Sequence, residues 1–193
     1  MSVRSGMTNI IRRLRRLVND GTAGVWEDQD LQDVLDQHKI HVVREYLEPQ
    51  KNYLSGTAYE YRLFASRWAD FEENGSGTAY LKLEDGGGSQ RTYGTATAQW
   101  TMDYIRGLVT MGQDQAGTAM YLTGWSYDLN GAAAELWRER AGQVASFYDV
   151  QADGHRLSRS QWMTHCLKMA DEMDKRARPV TVHQWTQGVF EHE

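Results

Sequence analysis

Cysteine and proline are nearly missing from this chain: one cysteine, Cys166, and two prolines stand among 193 residues. A single thiol excludes an intramolecular disulfide framework and a cysteine-rich zinc site, because both need several sulfurs at set spacings. It also points to a reducing cytoplasm. So few prolines leave no rigid linker. No run approaches the roughly 18 apolar residues of a membrane span, and four arginines interrupt the N-terminal apolar stretch, so neither export nor membrane insertion is expected. A basic surplus is lacking too. The net charge of -5 repels phosphate and argues against broad DNA affinity.

What is present is a globular composition, 40% hydrophobic and 24% charged, at a length that suits a single domain over 1–193. Eighteen glycines, ten tyrosines and seven tryptophans supply turns and large aromatic anchors. Charge is unevenly spread. Residues 1–20 carry Arg4, Arg12, Arg13, Arg15 and Arg16 against Asp20 alone, which makes the first helix a basic appendage on an acidic body.

Ile10, Ile11, Leu14, Leu17 and Val18 form one helical stripe, with Thr8 placed to cap it and Gly21 to end it. A second helix starts at Glu27 or Asp28 and buries Leu31, Val34 and Leu35, with Trp26 stapling its entry against Leu31. These helices occupy 1–39. From 40 to 124 the period becomes two: Tyr59, Tyr61 and Leu63 alternate with Glu60 and Arg62, and Ala79, Leu81 and Leu83 with Tyr80, Lys82 and Glu84. Turn signals at 73–77 and 86–89 predict an antiparallel meander, with further strands over 97–102, 106–111 and 120–123.

The helical period returns over 125–178. Leu129, Ala132, Ala133, Leu136, Trp137, Val144 and Phe147 line a helix that Asp128 caps. Asp153 and Gly154 turn the chain. Ser158 and Gln161 form a capping box for a last helix burying Trp162, Cys166, Leu167, Ala170 and Met173. Lys175, Arg176 and Arg178 complement its C-terminal dipole, and Pro179 stops it. The tail over 179–193 reads as extended. The predicted fold class is thus α+β: a small helical bundle of two N-terminal and two long C-terminal helices, an inserted antiparallel sheet and a tail.

Catalytic signals fail one by one. His38 and His41 are three apart but span a helix end and lack a third ligand, so no metal is expected. Gly124-Trp125-Ser126-Tyr127-Asp128 lacks the second glycine of a nucleophile elbow. Gly86-Gly87-Gly88 lacks the lysine of a phosphate loop and reads as a hairpin tip. His165 and Cys166 diverge by about 100° on a helix, poor geometry for a base and nucleophile, and Cys166 reads as a core residue. Glu72-Glu73 reads as a solvated turn. With no convergent polar constellation, neither an enzyme nor a cofactor is expected.

The basic helix has three readings: a solvated face, a contact to an acidic partner, or a lining beside DNA. The tail has two, a strand on its own sheet or an arm onto a neighbour, and Val180, Val182, Trp185 and Phe190 are its apolar contacts.

Tyr121-Leu122-Thr123-Gly124, Tyr127-Asp128-Leu129-Asn130-Gly131-Ala132-Ala133-Ala134, Tyr148-Asp149-Val150-Gln151-Ala152-Asp153-Gly154 and Ser158-Arg159-Ser160-Gln161 resemble the C-terminal half of the head-tail connector (adaptor) proteins of long-tailed bacteriophages. Gly24-Val25-Trp26 and the acidic helix to Asp36 resemble their N-terminal part. The resemblance covers about a third of the chain through short motifs. It implies a non-enzymatic structural role in the virion neck, assembled in the host cytoplasm. The chain would form a homo-oligomeric ring, a dodecamer, between the portal protein and the stopper or tail terminator, with DNA in its channel read without sequence specificity. The partner-binding residues would be Arg12, Arg13, Arg15 and Arg16 with Val180, Val182, Trp185 and Phe190. The alternatives are a nucleic-acid-binding module using the arginine helix, and another neck or tail-completion protein.

Overall fold

A computed structural model of the chain describes residues 3–21, 24–55, 58–73, 81–91, 100–115, 118–145, 150–152, 155–157 and 159–178. It is a mixed fold of helices and antiparallel sheets. After a 3-10 turn at Ser5–Met7 comes α1 (Thr8–Leu17), then α2 (Asp28–Gln37), β1 (Lys39–Tyr46), β2 (Glu48–Ser55), β3 (Ala58–Ala65), β4 (Lys82–Asp85) and β5 (Gln90–Arg91). There follow β6 (Trp100–Asp103), β7 (Leu108–Met111), β8 (Met120–Tyr127), α3 (Leu129–Ala145), β9 (Val150–Ala152), β10 (His155–Leu157) and α4 (Arg159–Asp174).

Helix α1 buries Ile10, Ile11 and Leu14, with Val18 just past its end, as its stripe predicts. Its caps differ from expectation. Thr8 lies inside the helix and donates its hydroxyl to the Ser5 carbonyl at 3.3 Å, because the 3-10 turn already supplies the entry. The exit is made by Asn19 at φ 54°, not by Gly21: the Asp20 amide bonds the Arg15 carbonyl (2.9 Å) and the Asn19 amide that of Arg16 (3.4 Å), the pattern of a left-handed helix terminus. Helix α2 starts where predicted, and Glu27 and Asp30 form a reciprocal capping box. Leu31 and Leu35 are buried with Trp26 in one helical cluster, while Val34 packs at its margin.

Asp128 caps α3, its Oδ1 accepting from the amides of Asn130 (3.1 Å) and Gly131 (3.2 Å). Ala132, Ala133, Ala134, Leu136, Trp137 and Ala141 are all buried, so α3 is covered on several sides and not on one stripe; its small residues let α1, α2 and α4 approach. Helix α4 packs chiefly on α3. Its buried line is Cys166, Ala170 and Met173, at i, i+4 and i+7. Trp162 and Leu167, expected in the core, are 39% and 44% exposed, because a helix with one neighbour buries only a narrow stripe. Between α3 and α4 stands an antiparallel ladder of β9 and β10 with Ala152 opposite His155, which the sequence reading did not foresee. Phe147, Asp153, Gly154, Ser158, Pro179 and the tail 180–193 lie outside the described residues.

The predicted meander is instead two four-stranded antiparallel sheets, ordered β1-β8-β4-β5 and β2-β3-β7-β6. The ladder that ties them to the helices joins β1 to β8, with Lys39 opposite Tyr127, so the long segment begins and ends at one point. Local turn signals cannot reveal such a pairing, which closes a long loop. Val42, Leu83, Met120 and Leu122 from the first sheet and Phe64, Trp100, Met102, Val109 and Met111 from the second fill one apolar layer. In β3 the deeply buried residue is Phe64; Tyr59 is exposed and Tyr61 only flanks this layer. Gly124 on β8 lies close under Leu81 and Phe71: a Cβ there would meet the Leu81 Cδ1 at 2.7 Å and the leucine would have to shift.

Candidate functional site

The four arginines of α1 share a sequence neighbourhood and little else. Arg15 is buried: its guanidinium meets the Asp20 Oδ2 at 2.6 Å, the Trp26 carbonyl at 3.0 Å and the Asp28 Oδ1 at 2.7 Å. Asp20 in turn accepts from the amides of Gly24 (3.0 Å), Val25 (3.2 Å) and Trp26 (3.4 Å), so this pair folds the α1–α2 connection. Arg13 pairs with Asp70, and its guanidinium pKa is lowered, first by burial and then by the field of Arg16. Arg12 and Arg16 remain exposed. Among the described residues Arg12 bonds only the neutral Asn9 side chain, at 3.3 Å.

A convergent polar constellation does exist, and Glu72 is at its centre. Far from being a solvated turn residue, Glu72 is buried and accepts the Tyr127 hydroxyl at 2.6 Å and the Arg4 Nε at 3.0 Å. Arg4 also forks onto Asp36 (2.7 and 2.6 Å), and its amide donates to Gln32 Oε1 at 2.7 Å. Burial, the hydrogen bond to Glu72 and its charge hold the Tyr127 hydroxyl far above its ordinary pKa, while Asp36 above all raises that of Arg4. Both groups keep their protons at physiological pH. The cluster clamps the N-terminal segment, α2, the Asp70–Glu73 loop and β8 together.

A second junction gathers the ends of the helical core. Asp128 accepts the Arg178 amide on Oδ2 (2.8 Å) while its other oxygen caps α3. The Arg178 guanidinium reaches Ser126 Oγ at 3.2 Å and lies 5.4 Å from the Trp68 ring, so it serves this junction rather than the α4 dipole. On the far side, Arg140 sits 5.7, 5.5 and 5.6 Å from the rings of Trp26, Trp137 and Trp162, and His165 stacks on Trp162 at 5.4 Å.

The remaining candidates resolve into structural uses. His38 binds Glu135 at 2.8 Å, His41 is exposed on β1, and no cluster of metal ligands occurs among the described residues. Ser126 lies within β8 and donates to the Ala69 carbonyl at 2.6 Å, away from any elbow. Gly86, Gly87 and Gly88 form the β4–β5 tip, where Asp85 Oδ1 accepts the Gly87 and Ser89 amides. Cys166 is buried, and burial pushes its thiol pKa up. Gln161 is exposed in the first turn of α4; its expected partner Ser158 lies outside the described residues, as do Val180, Val182, Trp185 and Phe190.

Arg15, expected with the other arginines of α1 as a partner contact, is instead buried; its place four residues after Ile11 and three before Val18, beside the apolar stripe, is the sequence signal that reading passed over. The Arg4 cluster left no local signal, since its partners lie 32, 68 and 123 residues away.

Set against known protein families, curated proteins and solved structures, the chain matches none.

Proposed function

We propose that the chain is a structural subunit of a bacteriophage head-tail joint, an adaptor that forms a dodecameric ring between the portal protein and the stopper or tail terminator. In this reading it is an architectural protein of the virion neck, assembled in the host cytoplasm, with no cofactor. The resemblance of the 121–161 motifs to head-tail connectors carries the proposal. Those motifs include the β8 strand, the Asp128 cap and the opening turns of α3 and α4. The helices α1 to α4 act as the bundle, and the segment 39–127 as the inserted sheet. Arg178, four residues past α4, is pinned at the junction of bundle and sheet, and in this reading the segment 179–193 serves as an arm toward the portal or a neighbouring subunit. A ring needs two unlike faces that close by rotation.

Negative-stain imaging of the purified chain, alone and with portal-bearing heads, tests the proposal. Rings in either setting are expected. A monomer that ignores the portal overturns it. Truncation of residues 180–193 should abolish attachment to heads with the fold retained; normal attachment removes the arm assignment.

The nucleic-acid reading rests on the outward Arg12 and Arg16. Two such contacts neutralise about two phosphates, a salt slope of about -1.8, which is weak binding. A gel shift lost in Arg12→Ser/Arg16→Ser would favour it. Arg13 and Arg15 should be left intact in that test because both are paired with carboxylates of the fold. Another neck or tail-completion subunit would bind heads without forming a ring beneath the portal.

A further inference from the structure

Helices α1 and α2 carry opposite and unmixed charge. Arg12, Arg13, Arg15 and Arg16 are the only ionisable residues of α1, and Asp28, Asp30, Asp33 and Asp36 the only ones of α2. The fold pairs half of each set internally: Arg13 goes to Asp70, Arg15 to Asp20 and Asp28, and Asp36 to Arg4. The outer half is left exposed, Arg12 and Arg16 one turn apart on α1, and Asp30 and Asp33 one turn apart on α2. Among the described residues none of these four has an ionic partner. Arg12 bonds neutral Asn9, Asp33 accepts from neutral Gln29 at 2.7 Å, and Asp30 accepts the Glu27 amide at 3.0 Å.

We propose that these two faces are the two halves of one contact between copies of this chain, the Arg12/Arg16 face of one subunit seated on the Asp30/Asp33 face of the next. The inference rests on the ring reading above and names the surface through which neighbours meet. Like charges one turn apart on a helix repel, and a neighbour carrying the opposite pair, also about one turn apart, relieves both repulsions at once. Two unlike, complementary faces on every copy make the contact heterologous, the type that closes into rings. Exposed ion pairs are individually weak. They set register and encounter rate, while apolar contact supplies the rest of the affinity.

The test compares four forms of the full chain. Arg12→Glu/Arg16→Glu makes both faces acidic. Asp33→Lys/Gln37→Lys makes both basic, sparing Asp30 because it closes the α2 capping box. Lys168→Glu/Lys175→Glu repeats the first charge change on exposed positions of and beyond α4 as a control. Self-association is followed by sedimentation at about 50 and about 500 mM salt, where screening differs severalfold, and ring formation by imaging on portal-bearing heads. Circular dichroism checks that each variant folds.

Each face variant should associate at least about tenfold more weakly than wild type, about 1.4 kcal/mol, in low salt. An equimolar mixture of the two should recover wild-type association, since in an alternating ring every contact again joins an acidic face to a basic one, and the control should match wild type. Wild-type rings that both face variants also form, or a mixture no better than its components, overturn this inference alone. A wild-type chain that forms no ring in either setting overturns the ring reading and this inference with it.

Discussion

Replacing Arg15 by methionine removes the charge at the α1–α2 connection while keeping an unbranched stem against the core. The Arg15 and Asp20 side chains are 10% and 3% exposed, so solvent screens the pair little. Deleting one partner of a buried pair costs about 3–5 kcal/mol, because the other charge stays buried. Asp20 retains three backbone amides after the change, which places the loss at the lower end, about 3 kcal/mol. For a chain of this length that lowers Tm by about 6–12 °C. Arg12→Met and Arg16→Met touch exposed side chains and should stay within about 0.5 kcal/mol of wild type. Urea denaturation followed by circular dichroism reads all three. Adding Asp20→Asn to Arg15→Met should cost less than the two single losses together, since the second change removes the stranded charge. If Arg15→Met falls within about 1 kcal/mol of Arg12→Met, Arg15 is not the internal tie described above.

Three further outcomes follow from the junctions. Tyr127→Phe keeps the ring but deletes a hydroxyl bonded to Glu72 and Arg4, and should cost about 2 kcal/mol in thermal unfolding. Because the folded Tyr127 hydroxyl titrates above its unfolded value of about 10, its contribution is present below that pH and lost as pH rises beyond it, a loss that Tyr127→Phe should abolish. Asp128→Ala removes the α3 cap and the Arg178 amide contact, costing about 2 kcal/mol, and amide exchange should speed up at residues 175–178. Burial raises the Glu45 carboxyl pKa despite hydrogen bonds from Ser66 and Arg67. Its stability contribution is therefore full below the ordinary carboxylate range and is lost as pH climbs through the raised value; Glu45→Gln should flatten that part of the stability profile, and an unchanged profile would contradict it.

The fold was legible where its causes are local. The starts of α2 and α3 follow from Glu27 and Asp128, whose side chains bond amides within the next three residues, and the α1 core line follows from its period. Expectation failed where a distant neighbour decides. Trp162 and Leu167 have the right residue type for a core, but among the described residues α4 packs chiefly on α3, and that contact fully buries a stripe of only three residues. Glu72 looked solvated because two consecutive glutamates beside a turn usually are; the arrival of Arg4 and Tyr127 makes its burial tolerable.

By itself the sequence determined the four helices, the strand character of the segment between the second and third, the opposite charges of the first two helices and the lack of a disulfide scaffold, because periodicity, capping and composition act within a turn or a strand. Tertiary structure alone decided which arginines face inward, that β1 pairs with β8 to close the segment between them, and that two sheets share one apolar layer. Those outcomes depend on groups brought together across tens of residues, where the geometry of the folded chain chooses the partner and no local pattern records it.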